Sequence, residues 1–522
     1  MKKVLLLITI LAVFIQCNSV EKYNQHYDTK IPVNDLKNDV DFTYKKLQQL
    51  HPFLYGFISK EDLDHKFDSL KNSLKTPLKP LEFYKKISPI VAAVKQGHMI
   101  VYPPMKRLST KESKVLEEKG MGPFSQIELG FNDNKLYVLK NKSTDSTIHV
   151  GSQLISVDNI KVTDIIQEHN KYFTSDGFNT TFKPTYYNTR LANYFVVDHG
   201  IKDSLLYTFK YNDSIENHLI KRFKKEESKD DSTVVVKAPK IKVDREKTKA
   251  LKRKNRIQGY DATAGNYTRN IEFRGQDSST VIIKIRGFKN RAYKKFYKES
   301  FTKIKNYKTK NLILDLRDNG GGRLSEINYL YSFLADTSYV LLEKSKVVSR
   351  SSAAIGSYLS DAPLVVQVAK TILFPFTYTI SLLTTKKDKD GSFYQKIYTK
   401  EQEVDELAFK GKVYVLINGG SFSASSILSA TLKGTSRATF VGEETGGNFN
   451  GTVAGIIPII KLPHSDLKIR MGLMHVIPHQ QTTVEGHGIY PDKEIEVTMD
   501  DVINQKDPQL EWIFEDIKSD NE

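Results

Sequence analysis

Cysteine is nearly absent from this 522-residue sequence, which contains only Cys17. Disulfides within the chain are therefore excluded, and so are zinc sites built from several cysteines. Long hydrophobic runs are scarce as well. The apolar run 371–384 is short and is interrupted by Pro375, so it predicts a buried or substrate-facing segment rather than a membrane span.

The N-terminus carries a clear targeting signal. Lys2 and Lys3 precede the apolar run 4–15, and this pattern predicts a signal peptide at 1–17. Cys17 resembles the lipidation site of bacterial lipoproteins, although the sequence Phe-Ile-Gln before it departs from the usual small residues. We therefore expect an exported protein of the periplasm or cell envelope, anchored to a membrane by lipid at Cys17. A simple secretory signal is the alternative.

Acidic residues are fewer than basic ones, with 61 Asp and Glu against 78 Lys and Arg, so the formal net charge is +17. The segment 221–256 holds 15 Lys and Arg against 6 Asp and Glu. Such a run can bind a polyanion or an acidic membrane surface, but it is more typical of a solvated linker. Aromatic residues are sparse within it, so we predict no nucleic-acid partner.

The chain is too long for a single core, so several domains are expected. Helically spaced apolar residues predict a helical N-terminal domain at 20–110. A strand-rich domain at 112–225 contains the stretch 151–159, which resembles the turn of a PDZ domain, with 127–131 as a weak candidate for its carboxylate-binding loop. An irregular spacer without a peptide pocket is the alternative. A basic linker is predicted at 226–274 and a C-terminal tail at 509–522.

Strands alternate with helices in the remaining segment, 275–508, which predicts an α/β sheet. Two glycine-rich turns follow strands of this sheet, at 318–322 and at 419–423. Reactive groups of such sheets gather at the carboxyl ends of the strands. The first turn offers backbone amides that can hold an oxyanion, and the second places serines at a helix N-terminus. A plain tight turn and an N-cap at Ser421 or Ser423 are the structural alternatives.

Four segments together resemble the C-terminal-processing and tricorn-core serine peptidases. They are NLILDLRDNGGG (311–322), SFSAS (421–425), FVGEETGG (440–447) and EGHGIYPDKEIE (485–496). The resemblance implies an α/β, α+β multidomain protein with a helical N-terminal domain, a PDZ-like domain and a catalytic core of the ClpP/crotonase type. It also implies Ser423 as the nucleophile, with oxyanion amides from Ala424 and from Gly321 or its neighbour Gly320.

The base that takes the serine proton decides between two branches of that family. The lysine of the C-terminal-processing branch is replaced here by Asn448, and Lys461 lies outside the motif. The tricorn-like branch uses a histidine and a glutamate, and the matching positions are His98 and Glu485. The resemblance therefore implies a Ser423–His98–Glu485 triad, with Ser426 standing where the family usually has glutamate.

Alternatives remain for each of these assignments. His475, His479 and His487 are rival bases, and the pair His475 and His479 raises a metal site, although the pattern of zinc hydrolases is missing. The predicted function is an exported serine peptidase that hydrolyses peptide bonds without metal or cofactor and acts on peptides or proteins. A non-catalytic peptide-binding module and a small-ester hydrolase are the alternative functions. The sequence indicates nothing about oligomeric state.

Overall fold

The computed structural model describes residues 20–224, 245–275, 277–289 and 291–520. The predicted signal peptide and Cys17 lie outside the described residues. The protein combines a helical N-terminal region, an antiparallel sheet with two helices, and a larger α/β core.

The N-terminal region is helical, as predicted. Its elements are α1 (Val20–Asp28), α2 (Val33–Leu50), α3 (Lys60–Ser73), α4 (Pro80–Ala92), β1 (Ile100–Tyr102), α5 (Thr110–Glu118) and α6 (Pro123–Gln126). The apolar residues that gave the helical spacing, such as Leu36, Leu47, Leu63 and Ile87, point into one core and are buried.

The middle region is an antiparallel sheet with strand order β2-β3-β4-β6-β7. Its elements are β2 (Ile127–Asn132), β3 (Lys135–Asn141), β4 (Gln153–Val157), β5 (Ile160–Lys161), α7 (Val162–His169), α8 (Tyr187–His199), β6 (Ser204–Tyr211) and β7 (Ser214–Lys221). Asp158 and Asn159 both have positive φ, which makes the tight β4–β5 hairpin. The segment 127–131, a weak candidate for a carboxylate-binding loop, is a paired strand instead.

The α/β core follows, with strand–helix alternation as predicted. Its elements are α9 (Arg245–Gln258), β8 (Tyr260–Asp261), β9 (Asn266–Tyr267), β10 (Arg269–Arg274), β11 (Thr280–Ile285), α10 (Tyr293–Asn306), β12 (Asn311–Asp315), α11 (Leu324–Tyr331), β13 (Ser345–Val347), α12 (Ser352–Leu359), α13 (Leu364–Thr384), β14 (Thr385–Lys387), β15 (Phe393–Gln395), β16 (Lys412–Ile417), α14 (Ala424–Gly434), β17 (Thr439–Gly442), β18 (Thr452–Ala454), β19 (Ile459–Lys461), β20 (Lys468–Arg470), β21 (Met474–Val476), β22 (Lys493–Glu494), α15 (Met499–Ile503) and α16 (Pro508–Ser519).

The main sheet has strand order β10-β11-β12-β16-β17-β22. The β10–β11 pair is antiparallel and the other neighbours are parallel. The central strands β12 and β16 are almost completely buried, as expected for parallel strands that are covered on both faces.

Two predicted boundaries of this core are too narrow. Strand β10 lies within the predicted linker 226–274, yet it forms the edge of the main sheet. All of helix α16 except Pro508 lies within the predicted tail 509–522, yet Ile513 is fully buried against Ile313, Tyr414 and Val441. Apolar burial continues past both boundaries, so the core includes both elements.

The apolar run 371–384 is not buried, which corrects that part of the expectation. It forms most of α13, which continues through Pro375 and packs along α12. Of its most apolar 18-residue window, only 6% is buried. Among the described helices, α13 alone has the length and hydropathy of a segment that could span a membrane.

The N-terminal region and the α/β core are packed together. Strand β1 pairs antiparallel with β20, with Ile100 opposite Arg470. The helical core also takes up Ile460, Ile469 and Leu473 from the second half of the chain. This packing carries the loop between α4 and β1 onto the α/β core.

Candidate active site

The two glycine-rich turns meet at one edge of the main sheet. They follow β12 and β16, which are parallel neighbours with Asp315 opposite Leu416. The turns are joined by hydrogen bonds from Asp318 N to Asn418 Oδ1 (2.9 Å) and from Phe422 N to the Asn319 carbonyl (3.0 Å). Parallel pairing therefore assembles both turns from segments about a hundred residues apart.

Gly321 lies at the closest approach of the two turns. Its φ is +94°, and a Cβ there would lie 2.7 Å from both the Phe422 carbonyl oxygen and Ser423 Cβ. Because both distances are shorter than real Cβ contacts, only glycine lets the first turn pack against Ser423.

Ser423 has an unusual backbone conformation. Its φ is +59° and its ψ is −120°, a region that non-glycine residues rarely adopt, and it directly precedes α14. Strain of this kind occurs where a nucleophile is held on a sharp strand-to-helix turn. Ser423 stands at the N-cap position, but its side chain makes no capping hydrogen bond. Its hydroxyl is therefore available for another partner.

Two of the neighbouring serines, Ser421 and Ser426, have structural partners. Ser421 Oγ donates to the Leu316 carbonyl at 2.8 Å, which ties the second turn to β12. Ser426, which stands in place of the family's glutamate, donates through Oγ to the Ser421 carbonyl at 3.0 Å. These bonds distinguish both residues from Ser423.

His98 reaches Ser423 from the loop between α4 and β1. Its Nε2 lies 2.9 Å from Ser423 Oγ, although the two residues are 325 positions apart. The imidazole is buried and its ring lies 4.9 Å from that of Phe422. Burial, with a smaller effect of Arg470, lowers the pKa of His98 to about 3. The ring is therefore neutral at physiological pH.

Arg470 occupies the other side of the imidazole. Its Nη2 lies 3.4 Å from His98 Nδ1. A guanidinium only donates, so this contact requires an unprotonated Nδ1 and places the proton of the neutral ring on Nε2. In this arrangement His98 donates to Ser423 Oγ. General-base catalysis requires the opposite tautomer.

Glu485 is exposed and does not contact His98 in this structure. Its Oε1 accepts a hydrogen bond from Asn450 Nδ2 at 3.2 Å. The next residue, Gly486, accepts a hydrogen bond from Phe178 N at 2.7 Å, and Gly177 N donates to the Lys95 carbonyl at 2.9 Å. The segment carrying Glu485 is thus linked through 177–178 to the segment carrying His98. The part of Glu485 in the triad stays a prediction.

Asp176 is a site residue that sequence reasoning missed. It is 1% exposed, and its Oδ1 accepts a hydrogen bond from Gly97 N at 2.7 Å, one residue before His98. Burial raises the pKa of Asp176 to about 6. The sequence around it, TSDGF, carries no pattern that separates it from a surface turn.

The candidate oxyanion donors differ in availability. Gly321 N already donates to Asn319 Oδ1 at 3.0 Å. Among the described residues, neither Gly320 N nor Ala424 N has an acceptor, and Gly320 is exposed. Of the two glycines that the sequence left open, the geometry favours Gly320 as the partner of Ala424.

The rival bases lie elsewhere. His475 stacks on Phe53 at 4.3 Å, His479 Nδ1 lies 2.6 Å from Glu343 Oε1, and His487 Nδ1 lies 2.8 Å from the Tyr490 hydroxyl. Asn448 is buried, with Oδ1 accepting from Asn450 N at 3.2 Å. Lys461 forms an ion pair with Asp466 at 2.8 Å. Of the four histidines that were considered, His98 is the one that contacts Ser423.

A small cavity of about 140 Å³ opens beside this pair. His98, Gly320, Phe422, Arg190 and Arg470 are among its lining residues. A water takes up about 30 Å³, so the cavity has room for a few waters or one side chain.

Known proteins resemble this chain in sequence and in fold. Residues 279–495 match the family model described as Peptidase family S41. The Tail-specific protease of Haemophilus influenzae is 30% identical over 156 residues, which are 30% of this chain and 15% of that protein. The Carboxy-terminal-processing protease of Bartonella bacilliformis is 33% identical over 96 residues, or 18% of this chain and 21% of that protein. The chain thus matches less than a quarter of either relative's length.

A solved structure extends the likeness in fold to nearly the whole chain. Mature CPAF complexed with lactacystin superposes with a TM-score of 0.57 at 14% identity, covering 91% of this chain and 96% of that one. The uncomplexed mature CPAF gives a TM-score of 0.56 over 90% and 94% of the two chains. The chain is thus similar in sequence to peptidase family S41 over residues 279–495 and similar in fold to mature CPAF over nearly its whole length.

Proposed function

We propose that this protein is an exported serine peptidase that cleaves peptide bonds through an acyl-enzyme, with Ser423 as nucleophile and His98 as general base. The observation that carries the proposal is the 2.9 Å contact between His98 Nε2 and Ser423 Oγ, at a serine with a strained backbone. A base within hydrogen-bond reach is what makes a serine hydroxyl reactive. The match of residues 279–495 to the model of peptidase family S41 supports peptide bonds as the substrate.

The proposed reaction uses groups that already surround Ser423. His98 takes the hydroxyl proton while Oγ attacks the carbonyl carbon, and the carbonyl oxygen becomes an oxyanion between Gly320 N and Ala424 N. Collapse of this intermediate breaks the C–N bond, and the leaving amine takes the proton from His98. Water then attacks the acyl-enzyme with His98 again acting as base, which releases the acid and restores Ser423.

Glu485 completes the proposed triad as the carboxylate that holds Nδ1–H of His98. Support comes from the hydrogen bonds that link the loop of Glu485 to residues 177–178 and these to Lys95. Because Arg470 now faces Nδ1, the guanidinium has to leave that nitrogen before a carboxylate can bind its proton.

Export and membrane anchoring through Cys17 are further parts of the proposal, and they rest on the N-terminal sequence pattern. We also propose that the strand-rich domain 112–225 presents peptide ends, with the β4–β5 hairpin as the supporting feature.

Metabolic labelling with a radioactive fatty acid tests the lipid anchor at Cys17. Label should enter the wild-type chain and be lost in Cys17→Ser, whereas label retained in that variant would contradict the lipidation site.

A non-catalytic peptide-binding module is the second candidate, and one observation favours it. In this structure Arg470 faces His98 Nδ1 while the Glu485 carboxylate is bound to Asn450. A site that kept this arrangement would bind peptides without activating Ser423.

Peptide hydrolysis by matched pairs of variants separates the two candidates. Ser423→Ala and His98→Gln should each lower kcat/KM by about a thousandfold or more, because nucleophile and base act as a unit. The controls are Ser429→Ala, a buried serine in the same helix, and His479→Gln, a histidine bound to Glu343 away from Ser423. Equal activity of all four variants would contradict the peptidase, and so would an inactive wild-type chain.

A further inference from the structure

The cavity beside Ser423 carries two guanidiniums without counterions. Arg470 and Arg190 both line it, and neither forms an ion pair with a described carboxylate. Both lie close enough to Tyr186 to lower the pKa of its hydroxyl, although burial, the larger effect, raises that pKa. Two positive charges thus face one small cavity with no acidic partner in the described chain.

Aromatic rings hold one of these guanidiniums in place. Arg190 lies over the rings of Tyr186 (4.3 Å) and Phe173 (4.8 Å). Arg470 is fixed differently, since it stands on β20 opposite Ile100 and its side chain contacts only the Nδ1 face of His98 among hydrogen-bonding groups of the described residues. A guanidinium whose partner is a neutral imidazole gains more from a carboxylate.

We propose that this cavity binds a substrate carboxylate next to the scissile bond, and that the carboxylate draws Arg470 away from His98. The carboxylate is an acidic side chain or the free C-terminus of the peptide. This inference rests on the proposed peptidase for the meaning of the scissile bond. Once Arg470 pairs with the substrate, Nδ1 of His98 takes a proton from water and Nε2 gives its own proton to water, so the ring stays neutral and Nε2 becomes free to accept the proton of Ser423. Substrate binding thereby sets the tautomer that catalysis needs.

Binding to the full mature chain carrying Ser423→Ala tests this site without any turnover. Two kinds of peptide pair are titrated by calorimetry. In the first kind, the two peptides differ by Glu against Gln at one internal position, and this position is moved along the peptide from pair to pair. In the second kind, the same peptide is compared with a free and with an amidated C-terminus. We expect at least one acid to bind about tenfold more tightly than its neutral partner. The pair that shows the difference identifies the source of the carboxylate.

Variants assign the effect to Arg470. Adding Arg470→Gln should remove the preference for the acid. Adding Lys468→Gln, a loss of the same charge on the same strand, should retain it. Equal affinity for both members of both pairs, or no binding at all, would overturn the proposal. Reaction of wild-type Ser423 with a fluorophosphonate reports separately on the proposed function, so the two failures are distinguishable.

Helix α13 supports a second, independent inference. One stripe of it faces the protein, namely Gln367, Lys370, Phe374, Tyr378 and Ser381, at spacings of three and four. Large apolar side chains are exposed over the rest of its surface: Leu364, Val365, Val366, Val368, Ile372, Leu373, Phe376, Ile380, Leu382 and Leu383. At 100° per residue they cover an arc of about 200°, twice the stripe by which a helix usually packs on one partner.

The threonine hydroxyls of α13 are satisfied within the helix itself. The hydroxyls of Thr371, Thr377, Thr379 and Thr384 donate to the carbonyls of Gln367, Phe374, Pro375 and Ile380, at 2.8–3.1 Å. Groups paired in this way need no water, which is the condition that a hydrocarbon environment imposes. No acidic residue lies between 364 and 387, and Lys386 and Lys387 follow the helix.

We infer that α13 lies in the surface of a lipid bilayer, parallel to its plane. A spanning orientation is excluded because the helix is fastened along the protein, by Lys370 Nζ to the Ser360 carbonyl (2.5 Å) and Ser381 Oγ to the Arg350 carbonyl (2.8 Å). A wide apolar arc with basic residues at one end suits the acyl and headgroup layers of an anionic membrane.

Vesicle binding tests this surface once the lipid anchor is removed. The chain from residue 18 onward, which lacks both the predicted signal peptide and Cys17, is sedimented with vesicles of phosphatidylethanolamine and phosphatidylglycerol. We expect binding that falls at least tenfold when Ile372→Glu and Phe376→Glu are added. Val115→Glu, which alters an exposed apolar residue on α5, should leave it unchanged. No binding without the two changes would overturn the inference, and a dimer that they dissociate would identify a second copy as the occupant of this face.

Discussion

The Nε2 atom of His98 lies 2.9 Å from the Oγ of Ser423, and the Nδ1 atom of the same ring lies 3.4 Å from Arg470. One imidazole thus connects a strained serine to an arginine without a described counterion. The first contact is the one that catalysis needs. The second holds the ring in the tautomer that cannot accept the serine proton.

Replacing Arg470 should raise the pKa of His98. Burial is the larger cause of the low value of about 3, and it remains in Arg470→Gln, so the pKa should move up toward the ordinary value without reaching it. A titration of the His98 ring protons by NMR measures this, with Lys468→Gln as the control. An unchanged His98 titration in Arg470→Gln would contradict the influence of the guanidinium.

Gly321 and Gly320 should respond differently to a Cβ. In Gly321→Ala the new atom meets Phe422 O and Ser423 Cβ at 2.7 Å, and φ stays at +94°. We expect a loss of about 1–3 kcal/mol in the free energy of unfolding, together with nearly all activity. Gly320→Ala has no atom within 4 Å of its Cβ and keeps its N–H, so it should stay folded and active. Urea unfolding and kcat/KM check both variants, and equal behaviour would contradict the close packing of the two turns.

Asp176 should act as a positioning residue through its hydrogen bond from Gly97 N. Asp176→Asn keeps an oxygen acceptor, so kcat/KM should fall less than about threefold. Asp176→Ala leaves the buried Gly97 N without a partner, and the loss should exceed tenfold, in kcat more than in KM. If both variants lose activity equally, the charge of the carboxylate matters rather than its position.

Three buried histidines should make the protein sensitive to acid. Burial lowers the pKa of His51 and His98 to about 3 and that of His475 to about 4. The unfolded chain takes up their protons near pH 6.5 and the folded chain does not, so stability falls as the pH drops below 6.5. Burial raises the pKa of Asp176 to about 6 and that of Glu326 to about 7, which has the opposite sign and offsets part of the loss.

His51 isolates this effect, because neither of its ring nitrogens has a hydrogen-bond partner in the described chain. In His51→Leu the pH dependence between 6 and 4.5 should be flatter by about 1.4 kcal/mol per pH unit. Urea unfolding at the two pH values measures it, with exposed His479→Gln as the control. Parallel curves for wild type and His51→Leu would contradict a neutral buried His51.

The sequence predicted the parts of the site that depend on local pattern. Strand–glycine–serine–helix order led to Ser423, and the resemblance led to His98. The sequence did not indicate Arg470 or Asp176, because the residues around them are typical of an ordinary strand and an ordinary turn. The pairing of β1 with β20 brings Arg470 close to His98, and the loop 176–178 does the same for Asp176.

Fold boundaries were missed for a related reason. The apolar patterns of strand β10 and helix α16 are too short to predict that these elements belong to the core. Their place in the core follows from the packing of Ile271 and Ile513 against the main sheet. The sequence pattern also could not predict that α13 is exposed. An apolar run has the same pattern whether it is covered by protein or by another apolar medium.

The most direct test of the account is covalent labelling of the mature wild-type chain with a fluorophosphonate, followed by mass spectrometry of the adduct. We expect a single adduct on Ser423 that is lost in Ser423→Ala and in His98→Ala and is kept in Ser429→Ala. An adduct on another serine, or labelling of Ser423 that is unchanged in His98→Ala, would contradict the assignment of Ser423 and His98 as nucleophile and base.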